Sequence, residues 1–200
     1  MNPTVLVPVT AGSYGRDMSS DNPIGADDQQ ETRSKALDPG WVVGFTDGEG
    51  CFSVSIHRND LARPTRGWHV QPTFQVSQHA DHSTVLHGLR AFFACGSVRR
   101  KGPRSNVEVY VVHSTIQLVE RIIPFFEAHE LRIKRDDFEK FADIVRTIRA
   151  RNHHRPVEFE RIVTLAYSMN ARGKQRKRPI DEILLGSSET VREVPLTDQR

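Results

Sequence analysis

The sequence contains no apolar run that approaches the roughly eighteen consecutive residues of a membrane-spanning helix. Its N-terminus also lacks the basic stretch followed by an apolar stretch that marks a secretory signal. Cysteine is scarce, because Cys51 and Cys95 are the only two and their spacing fits no metal site. We therefore expect reduced thiols, no membrane association and no secretion, with the protein in a bacterial cytoplasm or in an organelle.

The length of 200 residues suits one compact domain, with or without tails. Residues 1–35 are rich in Gly, Ser, Asp, Asn and Pro without sustained periodicity, which predicts a flexible N-terminal tail. The periodic segments fall within residues 36–170, which predicts one folded domain there. Residues 171–200 include Lys174-Gln175-Arg176-Lys177-Arg178 and are predicted to form a basic, solvated C-terminal tail that can touch phosphates.

Charge is distributed unevenly behind the net value of +3. Residues 1–36 hold three basic and five acidic side chains, a net charge of −2, whereas residues 50–104 hold eight and two, a net charge of +6. Concentrated positive charge beside strand-like sequence is typical of proteins that bind a phosphate backbone. An ordinary solvated basic face has the same composition, so charge alone leaves both interpretations open.

A helix is predicted from about residue 38 to residue 49. Asp38 is a favourable N-cap and Pro39 fits the first helical position, where a missing N–H costs nothing. Glycines 40, 44 and 48 fall along one side of this helix, although each weakens it by ~1 kcal/mol relative to alanine. The stripe therefore predicts that another backbone comes very close, and Gly50 is predicted to cap the C-terminus.

Two acids, Asp47 and Glu49, lie at the end of that helix. The helix macrodipole is negative there, so neither carboxylate is favoured by the helix that carries it. A hard divalent cation would reverse that sign and prefers oxygen ligands. The alternative interpretation is that both acids are ordinary, solvated turn residues.

Alternation of polar and apolar residues predicts two strands, Cys51–His57 and Trp68–Gln78, with Pro72 indicating an edge or a bulge in the second. A helix capped by Asp81 is predicted to run to about Phe93, and strands at 96–101 and 106–113 follow it. Helices are predicted at 114–128 with Ser114 as the cap, from 135 to about 151, and from Pro156 onward. This order predicts an α+β fold with an αββαββα core, an antiparallel four-stranded sheet with helices on one face, and extra C-terminal helices.

One face of that sheet is predicted to remain open, and its side chains are almost wholly polar. An ordinary wet sheet face is one interpretation. Yet Gln, Asn, His and Arg dominate, and Gln and Asn pair with adenine edges whereas Arg pairs with guanine. The predicted DNA-contacting residues are Ser53, Ser55, His57, Asn59, His69, Gln71, Thr73, Gln75, Arg99, Lys101, Asn106 and Glu108, with Tyr110 on the same face.

The segment Val42-Val43-Gly44-Phe45-Thr46-Asp47-Gly48-Glu49-Gly50 resembles the signature of the LAGLIDADG homing endonucleases, in the variant form that ends Asp-Gly-Glu-Gly. Val43 replaces the family's usual alanine, and Thr46 replaces its usual aliphatic residue. The signature occurs once, which resembles the single-motif, homodimeric branch. The resemblance implies a saddle-shaped sheet and two motif helices, one from each subunit, that pack at their glycines.

The same resemblance implies the site. Glu49 and the Gly48 carbonyl would bind the divalent metal, Mg²⁺ with Mn²⁺ as a substitute, and Asp47 would lie close by as part of the catalytic set. Thr73-Phe74-Gln75-Val76-Ser77-Gln78 resembles the family's second strand, so Gln78 would orient the active-site waters. Leu131-Arg132-Ile133-Lys134 resembles the segment that brings a lysine to the scissile phosphate. His82 stands where the family can carry an arginine, and would be a weaker DNA contact.

The resemblance thus implies an intron-encoded, homodimeric endonuclease that cuts double-stranded DNA at a long specific site with divalent metal. Two alternatives keep the fold and change the function. One is an RNA maturase that assists intron splicing, and the other is a DNA-binding regulator that has lost catalysis.

Overall fold

The computed structural model describes residues 37–58, 67–170 and 178–188. The predicted tail 1–35, the predicted DNA contact Asn59 and most of the basic segment at 174–178 lie outside the described residues. The elements are α1 (Pro39–Glu49), β1 (Gly50–Arg58), β2 (Trp68–His79), α2 (Thr84–Phe93), β3 (Ser97–Arg100), β4 (Val107–Val112), α3 (Thr115–Gln117), a π-helical segment (Leu118–Ile122), α4 (Ile123–Ala128), α5 (Arg135–Arg149), α6 (Pro156–Ser168) and α7 (Ile180–Ser188).

The four strands form one antiparallel sheet in the order β1-β2-β4-β3, which confirms the predicted α+β class and the αββαββα core order. The register sets Gly50 opposite Val76, Phe74 opposite Val112, and Ser97 opposite Val111. Apolar side chains of one sheet face join those of the helices in a single core. The other face is left open, as expected for an antiparallel sheet with one packed side.

Phe52 lies at the centre of this core. Its ring stacks on Phe74 of the neighbouring strand at 5.0 Å between centroids. The rings of Phe126, Phe138 and Phe141 approach it from the helices at 5.5, 5.3 and 5.4 Å. Aromatic pairs in these stacked and tilted geometries add to the hydrophobic gain of burial. The sheet and the helix layer are thus fixed to each other directly behind the start of β1.

The predicted motif helix is confirmed as α1. Asp38 caps it by accepting a hydrogen bond from the Trp41 amide at 2.9 Å. Gly50 is its C-cap, as predicted, because the Gly50 amide donates to the Thr46 carbonyl, although its backbone is extended (φ −77°, ψ 160°) and not left-handed. A Cβ atom at Gly50 would lie 2.6 Å from both the methyl and the carbonyl oxygen of Thr46. Glycine is needed here because the helix end approaches so closely, and not for a left-handed backbone.

Of the helix caps predicted at Ser114 and Asp81, the first is confirmed and the second is wrong. Ser114 Oγ accepts from the Gln117 amide at 3.4 Å, as predicted, and helical residues continue from there to Ala128. Their π-helical middle immediately precedes Pro124, whose missing N–H cannot complete a regular α-helical ladder. Asp81 does not cap α2, since it lies in a 3-10 turn and pairs with His79 at 3.2 Å.

The face assignment of β4 was wrong. Tyr110 and Val112 point into the core, and the Tyr110 hydroxyl donates to the Cys95 carbonyl at 3.2 Å. Glu108 lies opposite Gln78 in the same alternation, so it belongs to the helix-facing side, as does Asn106 at the strand start. The outward row is Val107, Val109 and Val111. Alternating valines are typical of a core row, but Tyr110 can occupy the core side here because its buried hydroxyl finds a backbone partner.

Pro72 is accommodated without a bulge. It pairs in register with Val54 of β1, so the strand continues through it. On the other side β4 pairs with β2 only from Phe74 to His79. Residues 68–73 therefore have one neighbouring strand, which gives Pro72 the edge environment that its missing N–H requires.

The predicted C-terminal tail contains part of the fold. Ile183 of α7 is fully buried in the core. Arg178 is not a free phosphate contact, because its guanidinium pairs with Glu182 and lies 5.8 Å from the centroid of the Trp68 ring. Its carbonyl also accepts a hydrogen bond from the Tyr167 hydroxyl at 2.8 Å. Ile180, Ile183 and Leu184 follow helical spacing, but the segment is only nine residues long and follows a basic run, so this helix was not predicted individually.

Across the described residues, every helix is too short or too polar to cross a membrane.

Candidate nucleic-acid interface and cleavage site

The C-terminal end of α1 presents three successive residues in different environments. Asp47 is 9% exposed and counts among the few buried polar residues of the described chain. Gly48 and Glu49 are exposed, and within the described parts of the chain no atom would lie within 4 Å of a Cβ at Gly48. The Glu49 carboxylate and the Gly48 carbonyl are thus open to solvent at the same tip.

Asp47 has a structural task that sequence reasoning missed. Its Oδ2 accepts a hydrogen bond from the Arg132 amide at 2.7 Å, and its Oδ1 accepts from the amides of Ile133 and Lys134 at 3.2 and 3.1 Å. Three backbone donors beside a helix start stabilise a carboxylate strongly. Asp47 therefore holds residues 132–134 against α1, and its place in the catalytic set stays a prediction.

Lys134 is brought to the same tip by that clamp. Its ammonium donates to the Asp47 carbonyl, and to the Gly48 carbonyl at 3.3 Å. These carbonyls end α1, where a positive charge is favoured by the helix macrodipole. The unfavourable position expected for the two acids is therefore compensated by the amides that bind Asp47 and by the ammonium of Lys134. Lys134 and the Gly48 carbonyl, which the resemblance assigns to the same site, are therefore in contact.

Gln78 reaches the same end of the molecule through the sheet register. It lies two residues beyond Val76, the partner of Gly50, near the end of β2. Its Oε1 accepts from the His79 amide at 3.3 Å, which leaves the amide NH₂ without a partner among the described residues. His82 is exposed in the 3-10 turn that follows, and no contact of its ring is seen within the described chain. The sheet register thus places Gln78 near the α1 tip, whereas the described residues show no contact that brings His82 there.

One side of α1 is bare. A Cβ at Gly44 or Gly48 would meet no atom of the described residues within 4 Å, so this part of the stripe is unpacked against the chain that the structure describes. Next to it, Trp41 is 41% exposed and stacks on Phe45 at 4.7 Å between centroids. Ile133, held beside the tip, is 80% exposed. The helix that carries the signature thus exposes apolar surface around its glycines.

The open face of β1 and β2 carries the outward residues that alternation predicted. Ser53 pairs with Thr73, Ser55 with Gln71, and His57 with His69. The hydroxyls of Ser53 and Ser55 donate to the carbonyls of Thr73 and Gln71, both at 3.4 Å. The rings of His57 and His69 lie 5.0 Å apart. The remaining member of this row, Gln75, is half-buried and makes no hydrogen bond within the described chain.

Gln71 and Thr73 are already engaged inside the protein. Gln71 Nε2 donates to the carbonyls of Pro72 and His113, both at 3.1 Å, and its Oε1 accepts from His69 Nε2 at 3.3 Å. Thr73 Oγ1 lies 3.0 Å from His113 Nδ1. His113 is exposed and continues the outward row of β4 beyond Val111. Sequence analysis omitted His113 because the predicted alternation of β4 was inverted.

The outer strand supplies the positive charge. Arg99 of β3 pairs with Val109 and belongs to the open face, and Lys101 continues the same alternation beyond the strand end. Val109 and Val111 lie between these basic residues and the polar row of β2. Both side chains are buried, but neither belongs to the hydrophobic core cluster. Burial and the nearby Arg99 lower the pKa of His113, which keeps its ring neutral at physiological pH.

A divalent cation fits this tip by the chemistry of its donors. The Glu49 carboxylate and the Gly48 carbonyl are hard oxygen ligands of the kind that Mg²⁺ and Ca²⁺ prefer. No group of three or more His, Cys, Asp or Glu that could hold a metal occurs in the described chain. The α1 tip of one copy thus offers the Glu49 carboxylate and the Gly48 carbonyl, and water, phosphate or a second copy could supply further oxygen atoms.

An open sheet face with polar and basic side chains, next to a helix tip that presents a carboxylate and an ammonium, defines the class of nucleic-acid-binding proteins with a phosphodiester-cleaving site. The family model described as LAGLIDADG endonuclease matches residues 42–145. The homing endonuclease I-ApeII of Aeropyrum pernix is 34% identical over 151 residues, which cover 72% of this chain and 87% of the relative. The chain belongs to the LAGLIDADG endonuclease family.

Solved structures agree with this membership. The homing endonuclease I-TnaI superposes with a TM-score of 0.67 at 34% identity, over 76% of this chain and 98% of the other. The structure of I-SmaMI bound to uncleaved DNA target in the presence of calcium ions gives 0.63 at 31% identity, over 68% of this chain. This chain spans only 45% of the I-SmaMI chain. The fold therefore corresponds to nearly all of one relative and to less than half of another.

Proposed function

We propose that the protein is an intron-encoded homing endonuclease that cuts double-stranded DNA at a long specific site, as a homodimer and with divalent metal. The observation that carries this proposal is the tip of the family's signature helix, where the exposed Glu49 follows the Gly48 carbonyl to which Lys134 donates. The open sheet face with Arg99 and Lys101 begins at the end of that helix and supplies a surface for the duplex.

The reading face has the dimensions of a half-site. β2 comprises 12 residues, which at ~3.3 Å per residue span roughly 40 Å. Base pairs follow each other at ~3.4 Å, so this strand matches about ten to twelve of them along the major groove. Two copies related by a two-fold axis would cover a near-palindromic site of about twice that length.

The bare side of α1 is the proposed dimer contact. Gly44 and Gly48 leave space for a second backbone, and Trp41, Phe45 and Ile133 offer exposed apolar surface around them. Packing of two such helices would bring both Glu49 carboxylates near one axis, so each copy would complete the site of the other. The relative of about twice the length, I-SmaMI, fits two units of this size in one chain.

In the proposed reaction, bound Mg²⁺ supplies the activation of water and the neutralisation of charge on the phosphate that is cut. Glu49 and the Gly48 carbonyl would hold the ion. The Lys134 ammonium lies beside Gly48 and would stabilise negative charge on the phosphate, and the free amide of Gln78 would orient water. Asp47 fixes the backbone on which Lys134 depends. Support for metal comes from these oxygen donors, and from the calcium ions in the I-SmaMI complex.

The decisive experiment replaces Glu49 with glutamine, which keeps the size of the side chain and removes its charge. We expect Glu49→Gln to lose cutting of a selected target in Mg²⁺ while it still binds the duplex. Glu120→Gln is the matched control, because Glu120 is an exposed helix residue far along the chain from the site. Cutting by Glu49→Gln at the wild-type rate would refute the proposed role of this carboxylate.

An intron-splicing assay separates the maturase alternative from this proposal. With the host intron as substrate, the endonuclease hypothesis predicts no change in splicing when the protein is added, whereas a maturase would accelerate splicing.

Selection from a randomised duplex library in Mg²⁺ tests the alternative of a non-catalytic regulator, which would enrich sites without cutting them. Sedimentation of the protein–DNA complex would give two copies per duplex if the dimer is correct.

A further inference from the structure

We propose that His113 is a specificity residue of the open face, which reads guanine through its Nε2–H, and that Thr73 positions it. This inference rests on the DNA-cutting function proposed above and adds the residue and the base that one part of the face selects. It arises from a side-chain network that the sequence did not reveal.

His113 is held from two directions by the neighbouring strand. Gln71 Nε2 donates to its backbone carbonyl at 3.1 Å, and Thr73 Oγ1 lies 3.0 Å from its Nδ1. Both contacts come from β2, although His113 itself lies just beyond the end of β4. An exposed histidine at a strand end would otherwise sample several rotamers, and immobilising it before binding lowers the entropy cost of recognition.

The hydrogen bond with Thr73 selects one tautomer. Thr73 is 9% exposed and its hydroxyl has no second partner in the described chain. If Nδ1 were protonated, the Thr73 hydroxyl proton would be left without an acceptor in a buried place, which is costly. The hydroxyl therefore donates to Nδ1, and the proton of the neutral ring lies on Nε2. The Arg99 guanidinium nearby disfavours a second proton on the ring.

A single fixed donor distinguishes the major-groove edges. Guanine presents two adjacent acceptors, O6 and N7, to a donor that approaches from the groove. Adenine places its N6 amino group beside N7, and cytosine presents an amino group, so both oppose an N–H donor at that position. Arg99 on the same face adds positive charge, which favours the same acceptor-rich edge. Thymine offers a single acceptor, O4, beside its methyl group, whereas guanine offers two adjacent acceptors, so guanine is the base that this arrangement fits best.

The test compares base preferences in a randomised duplex library bound by the full chain in the presence of Ca²⁺, with cutting of the selected duplex measured separately in Mg²⁺. We expect wild-type protein to prefer guanine over adenine by about tenfold at one position per half-site. His113→Ala should remove that preference at this position alone, while total affinity, which phosphate contacts dominate, changes little. His113→Gln should shift the preference towards adenine, which pairs with amides.

Thr73 is tested by a pair of variants. Thr73→Val removes the hydroxyl and should relax the guanine preference at the same position as His113→Ala does. Thr73→Ser keeps the hydroxyl and should restore it. The matched controls are Thr164→Val, at an exposed position of α6, and His129→Ala, at the exposed C-cap of α4, and both should keep the wild-type profile.

The outcomes are distinct. A wild-type protein that selects a site without cutting it would overturn the proposed endonuclease, while the base profile would still decide the present inference. A profile in which no guanine position responds to His113→Ala would overturn the inference, even if cutting is intact. Retained preference in Thr73→Val would overturn the positioning role of Thr73. Loss of the preference in either control would also overturn it, because the effect would then reflect general destabilisation.

Discussion

The α1 tip and the open sheet face are built differently, and the difference concerns what holds the functional side chains. At the tip, Asp47 binds three backbone amides, and Lys134 donates to two backbone carbonyls. On the face, two of the contacts join one side chain to another, His69 to Gln71 within β2 and Thr73 to His113 across strands, and Gln71 also donates to the His113 backbone carbonyl. Backbone partners are present whatever the neighbouring residue types, so the tip is fixed by the fold. Side-chain partners change with each substitution, so the face can change its target while the tip keeps its chemistry.

The largest effect that this comparison predicts is at Asp47. Asp47→Asn places an amide where three backbone N–H groups need acceptors, so at least one donor loses its partner. We expect a loss of about 3–5 kcal/mol in the free energy of unfolding, together with loss of cutting. Urea unfolding followed by circular dichroism measures this. Asp136→Asn, which breaks only an exposed ion pair with Lys140, should cost about 1 kcal/mol or less.

Lys134 tests whether the tip separates chemistry from binding. Lys134→Met keeps the length of the side chain and removes its charge beside Gly48. Cutting in Mg²⁺ should fall about 10²–10³-fold with little change in DNA affinity. Lys140→Met is the control, because its ammonium pairs with Asp136 on the surface of α5. Equal losses of cutting in the two variants would show that position at the tip is not what matters.

Gln71 and Gln75 sharpen the comparison within the face. Gln75 is free to read a base, whereas Gln71 is committed to His69, Pro72 and His113. Gln75→Ala should reduce the preference for one base about tenfold without affecting unfolding. Gln71→Ala should instead lower the free energy of unfolding by about 1 kcal/mol and disturb the position read by His113. If Gln75→Ala destabilises the fold and Gln71→Ala does not, these two roles are reversed.

The smallest effect concerns acid stability and His153. Burial, followed by the charge of His154 and then of His69, lowers the pKa of His153 from 6.5 to about 4. The unfolded chain therefore takes up this proton more readily, and stability is lost as the pH falls from about 6.5 to about 4. His153→Gln should flatten the dependence of the urea midpoint on pH across that window. A variant that keeps the full acid dependence would contradict this assignment.

Much of the fold could be read from the sequence because its signals are local. The capped helix with Asp38 and Pro39, the alternation in β1 and β2, and the cap at Ser114 depend on neighbours within a few residues. The same local pattern predicts Tyr110 outward and Val109 inward. Alternation shows that successive side chains point to opposite faces of the sheet, but it does not show which face is buried. Only packing against Phe74 and Phe93 determines which side of β4 is buried. Helix α7 was not predicted individually, because its few apolar residues are buried only by packing on a core that the rest of the chain forms.

The sequence by itself determined the family, through nine consecutive residues, and with it the helix that ends at an exposed Glu49 and the polar row on β1 and β2. Only the tertiary structure decided that Asp47 is a clamp for residues 132–134, 85 residues away in sequence at Arg132. It also decided that Gln71 is committed and that His113 belongs to the reading face. The physical reason is the same in each case. Hydrogen-bond partners distant in sequence are set by strand register and packing, which no local pattern encodes.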